Sequence, residues 1–116
     1  MHQAELVRFI SGIDRQGERR FEDTMAIIDM YYEFTPTAFS NGQQQNSAEQ
    51  NLGSCKVFSF AMRHQLSESQ TLKLFGQYYQ DVLATPQGAD HQNIRQFMQH
   101  GWAGIRFTGT PLLLKS

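Results

Sequence analysis

Apolar residues spaced three and four apart recur in five stretches of this chain, and each stretch closes at a glycine, a proline or a polar cap. That spacing returns side chains to one face of a helix, so it dictates helices that pack through one stripe. Leu6, Phe9, Ile10 and Ile13 predict the first helix, broken by Gly12 and Gly17. "FEDTMAIIDMYYEF" predicts the second, with Phe21, Met25, Ile28 and Tyr32 along its stripe and Pro36 as its stop. Ser54 is the expected cap of a third helix whose Val57, Phe58, Ala61 and Met62 face inward. Ser67 and Gln70 form a capping box for a fourth, carrying Leu72, Phe75, Tyr79 and Val82 and ended by Pro86 and Gly88. Asp90 is the expected cap of the fifth, which buries Ile94, Phe97, Met98 and Gly101.

Between the second and third helices the pattern changes to "FTPTAFSNGQQQNSAEQNLGS", where Asn41-Gly42 signals a β-hairpin and the glutamines supply its polar second strand and a loop. "GIRFTG" near the end reads as a closing strand. The expected fold class is α+β: one mainly helical domain of five helices with a small sheet, spanning residues 1–116.

Composition narrows the function classes. A chain of 116 residues can build one core without disulfide staples, and its net charge of −1 favours neither nucleic acid nor an anionic membrane. Cys55 is the sole cysteine, which excludes an internal disulfide and a cysteine-based zinc site and fits a reducing cytosol. No apolar run approaches the roughly 20 residues of a membrane span, and the first residues lack a signal peptide's apolar centre, so a soluble chain is expected. Helix one is expected to begin almost at Met1, which leaves no unfolded export leader.

Two segments carry chemistry-bearing side chains. "ADHQNIRQFMQHGWAG" holds Asp90, His91, Asn93, Arg95 and His100. On a helix, His91 and Arg95 share one face, and Asn93, Gln96 and His100 another, so His91 and His100 cannot hold one metal between them. H-E-x-x-H is absent, and no metal or cofactor is expected. "NLGSCK" places Gly53, Ser54, Cys55 and Lys56 at a helix N-terminus, where unpaired N–H groups favour an anion and lower a thiol's pKa. The same residues also read as a plain serine cap and a buried structural cysteine, and "GSCK" lacks the spacing of a phosphate-binding P-loop. Glu22, Asp29 and Glu33 fall on one face of the second helix, where a solvated stripe accounts for them.

"FEDTMAIIDMYYEFTPTAFSNG", "GSCKVFSFA", "TLKLFGQYYQDVLATPQG" and "DHQNIRQFMQHGWAGIRF" together resemble the HopJ family, named after a type III effector of plant-pathogenic bacteria. The resemblance covers Phe21 to Phe107; the tail Thr108 to Ser116 lies past it, and the loop Gln43 to Leu52 follows it least closely. It implies a bacterial protein of compact helical or mixed structure and carries over no catalytic residues. It implies residence in the bacterial cytoplasm or delivery into a host by a type III system.

Two functions are compatible with these residues. One is a binding domain with a polar groove for a small anion or a peptide, formed by Gly53, Ser54 and Lys56 on one side and Asp90, His91, Asn93 and Arg95 on the other. The other is an enzyme with Cys55 as nucleophile and His91 or His100 as base. A protein partner fits the first; nucleic acid and membrane fit neither.

Overall fold

The computed structural model describes residues 4–14 and 20–115. Its elements run α1 (Ala4–Ser11), α2 (Phe21–Tyr31), β1 (Tyr32–Phe34), β2 (Phe39–Asn41), β3 (Gln44–Asn46), α3 (Leu52–Arg63), α4 (Glu68–Lys73), α5 (Gln77–Ala84), α6 (Gln92–His100), a 3-10 turn (Gly101–Gly104), β4 (Ile105–Phe107) and β5 (Leu112–Leu114). This is the expected α+β fold. The fourth predicted helix is divided into α4 and α5 by Gly76, whose φ of +58° interrupts the helical path. That conformation is open to glycine and costly for most other residues.

The strands form two small antiparallel sheets, β3-β2-β4 and β1-β5. The hairpin forms as expected, but with its turn one residue later. Asn41 pairs with Gln44, so Gly42-Gln43 is the loop, and Gly42 takes a φ of +59° as first turn residue. Tyr32 leaves the helical stripe for β1, because Tyr32–Phe34 finds ladder partners in Leu112–Leu114. The closing strand appears as β4. Gly17, the second expected helix breaker, and Met1, the expected helix start, lie outside the described residues.

The core centres on α3, which buries Val57, Phe58, Phe60 and Ala61 completely. Phe58 contacts the rings of Phe39, Phe75, Phe97 and Trp102 at centroid distances of 5.0–6.4 Å, linking hairpin, α5 lead-in and α6. Two expected core residues are outside it: Met62 and Met98 are each nearly half exposed. Asn93, placed by helical spacing on a polar face with Gln96 and His100, is buried instead.

Candidate functional site

Asn93 is buried because two side chains from elsewhere, those of Asn41 and Asn46, complete its bonding. Asn41 Nδ2 donates to the Asn93 carbonyl at 2.7 Å and to Asn93 Oδ1 at 3.0 Å. Asn46 Nδ2 donates to Asn93 Oδ1 at 3.1 Å, and Asn93 Nδ2 returns a bond to Asn46 Oδ1 at 3.1 Å. Asn51 Nδ2 joins at Asn46 Oδ1, at 2.6 Å. The network therefore pins the hairpin against the first turns of both α3 and α6. Buried amides are tolerated only where such partners exist, which makes this the specific polar joint of the fold.

Those two first turns share an unusual geometry. Their N-cap residues, Asn51 and His91, both lie in the left-handed region at a φ of +52°, and neither side chain caps its helix. An ordinary N-cap is extended and lends a side-chain oxygen to the helix. Ser54 and Asp90, the expected caps, do neither: Ser54 sits inside the first turn of α3, and Asp90 precedes the residue from which α6 starts. Among the described residues, the N–H groups of Gly53, Ser54, Gln92 and Asn93 have no protein acceptor.

The two turns open onto one cavity of about 470 Å³. Asn51, Gly53 and Ser54 line it from α3, and His91, Gln92, Asn93 and Ile94 from α6. Gln44 enters from β3, and Phe21, Phe75 and Tyr78 form an aromatic wall. Phe21 packs on Tyr78 at 5.1 Å, and Tyr78 on His91 at 5.4 Å. Among the described residues, no carboxylate lines the cavity. Asp81 and Asp90 stand outside the lining, 3.7 and 3.9 Å from His91 Nε2, and pair with the imidazole when it is protonated.

The structure thus brings Gly53, Ser54, His91 and Asn93 together and leaves the other expected site residues apart. Lys56 turns away to Asp29, at 2.8 Å, and stacks over Phe34 at 5.1 Å. Arg95 Nη2 is bound by Asp90 Oδ1 at 2.6 Å, and Nη1 donates to the Thr85 carbonyl at 2.9 Å, closing the α5–α6 loop rather than lining the cavity. That guanidinium holds the Asp90 carboxyl below its ordinary range. His100 is exposed and packs over Gly42.

Cys55 is fully buried, and its thiol donates to the Thr37 carbonyl at 3.5 Å. Burial pushes its pKa up to about 11, against the weaker lowering by that hydrogen bond. Its first-turn position does not produce a thiolate, because the side chain points into the core and not at solvent, which matches the reading of a buried structural cysteine. Neither His91 nor His100 bonds to it among the described residues, so the nucleophile–base pair is not assembled. No cluster of three metal-ligating side chains occurs among the described residues, and no described helix is long and apolar enough to cross a membrane.

Sequence reasoning missed Gln44, Asn51, Gln92 and the aromatic wall. Asn51 carried the one usable signal, since asparagine enters the left-handed region more readily than other side chains.

No curated protein matches the chain. Among solved structures it is similar to "unknown function protein VPA0580", at 46% identity, a TM-score of 0.91, and coverage of 95% of this chain and 93% of that one. The family model described as HopJ type III effector protein matches residues 6–112. The match therefore runs through most of the segment after Phe107 that the resemblance had left out, up to the first residue of β5. With nearly its whole length matched, the chain belongs to the HopJ type III effector protein family.

Proposed function

We propose that this HopJ-family chain is a binding protein whose α3–α6 cavity takes a small anion, a carboxylate or a phosphate group. One observation carries the reading: two helix N-termini, each without a side-chain cap, converge on one cavity that no carboxylate lines among the described residues. Their dipoles concentrate positive potential there, and the unpaired N–H groups supply the donors an anion needs. The left-handed N-caps support it further, because such backbone costs on the order of 1 kcal/mol or more and persists where the surroundings impose it. The flat rings of Phe21 and Tyr78 would accommodate an unsaturated or apolar body attached to the anionic group. The protein works from the bacterial cytoplasm or after delivery by a type III system, and a translocation reporter fused to residues 1–30 separates these two settings.

Thermal melting with phosphate, sulfate and small carboxylates tests the binding. A bound ligand raises the melting point by mass action, by about 2.7 kcal/mol of stability at a hundredfold excess over Kd. Ser54→Asp is the matched control: a carboxylate at that position suits the helix dipole but occupies and repels the anion position. The reading expects a concentration-dependent rise in the wild type and none in Ser54→Asp. No rise with any anion would end it.

A further inference from the structure

Toward the C-terminal end of α3, a groove of about 600 Å³ runs between α3 and the β4–β5 segment. Met62 and Arg63 form one wall, Arg106 and Phe107 the other, and Pro111 and Leu112 one end. Met62 is 44% exposed although it lies on the most buried helix of the fold. Arg63 lies 5.1 Å from the Tyr32 ring, and neither it nor Arg106 makes an ion pair among the described residues. Among the described residues, no aspartate or glutamate lines the groove.

One wall is also an open sheet edge. β4 is the outer strand of β3-β2-β4. The Thr108 N–H donates to the Ala38 carbonyl at 3.0 Å, and the Gly104 carbonyl accepts from Gly42 at 3.0 Å. Ladder bonds alternate along a strand, so these even-numbered residues face β2; the Ile105 N–H is taken by the Trp102 carbonyl, and the Ile105 carbonyl and the Phe107 N–H and carbonyl turn outward. A charged side chain on an edge deters self-pairing, which accounts for Arg106. It does not account for Arg63 on the opposite wall.

We propose that this groove binds an extended acidic peptide, which adds a strand to the β4 edge, sets an apolar side chain against Met62 and Phe107, and places carboxylates on Arg63 and Arg106. Main-chain pairing supplies affinity, and the two guanidiniums, neither held in an ion pair among the described residues, supply the preference for acid.

Panning the full chain against displayed random peptides tests this, followed by synthesis of the enriched sequences for fluorescence polarisation and amide-shift mapping by NMR. The expected result is enrichment of aspartate and glutamate between apolar residues, with the Phe107 amide shifting on titration. Arg63→Glu with Arg106→Glu should weaken binding at least about tenfold, while methylating alternate peptide amides should abolish it. Arg63→Gln with Arg106→Gln, whose melting is compared with the wild type, removes the charge without creating repulsion, so a loss of binding with unchanged melting is read at the groove. Absence of any enriched peptide, enrichment without acidic bias, equal affinity for the glutamine variant, or shifts confined to other elements would each overturn the proposal.

Discussion

α4 and the pair α3 and α6 begin in opposite ways. At the start of α4, Ser67 accepts from the Gln70 N–H at 3.1 Å, and Gln70 Oε1 accepts from the Ser67 N–H at 2.9 Å, so the end satisfies itself within four residues. At the starts of α3 and α6 the N-caps are left-handed and give nothing to the helix. They are held in place from outside, Asn51 by Asn46 and His91 by the Tyr78 ring. A self-contained end is purely structural. An end shaped by distant residues, with its donors turned to a cavity, is the kind of end that the proposed anion binding requires.

The largest effect that bears on this contrast is expected at Asn93. Asn93→Ala removes side-chain partners from Asn41, Asn46 and the hairpin joint, and should cost about 3 kcal/mol in urea unfolding, together with any anion-induced rise in melting. A loss under about 1 kcal/mol would mean that the amide network does not set the two helix starts. Ser67→Ala comes next: losing the cap should cost about 1 kcal/mol while leaving the anion response intact, which separates the structural end from the open ones.

Smaller changes sharpen the comparison. Ser54→Asp should raise stability by about 0.5 kcal/mol without ligand, because the charge meets an unsatisfied helix end; the same change at an already capped end has less to satisfy. Asp90→Ala is expected to have little effect on unfolding, since Asp90 does not cap α6 and pairs with Arg95 at the surface. A cost of about 2 kcal/mol would restore it as a cap. The mildest test is alkaline. Folding holds the Cys55 thiol protonated, so its contribution is complete below its ordinary value near 9.0 and is lost as pH rises toward about 11. The stability of Cys55→Ala should therefore decline less over that window than the wild type's, as followed by denaturation at several pH values.

What the sequence made legible follows the range of each interaction. The Ser67–Gln70 box was readable because its partners are three residues apart, and the hairpin because its turn needs a glycine at Gly42. The break between α4 and α5 was not read, although Gly76, a lone glycine in a helical pattern, stands at it. β5 was not readable: three residues pair with β1 from 80 residues away, and nothing local marks them as a strand. The cavity was half readable. Gly53, Ser54, His91 and Asn93 were singled out and do meet, because helix N-termini are marked locally. Lys56 and Arg95 do not join them in the lining, since their partners Asp29 and Asp90 decide where a long side chain turns. Asn93 appeared polar-faced because helical spacing cannot show that asparagines 47 and 52 residues away complete it.

The central claim, that the two open helix starts form one anion site, is tested most directly by titrating inorganic phosphate into isotopically labelled protein and following its main-chain amides by NMR. The account predicts that the Gly53, Ser54, Gln92 and Asn93 amides shift together along a single binding curve, while the Gln70 amide at the capped start of α4 stays still. Shifts absent from these four amides, or equal shifts at Gln70, would contradict it.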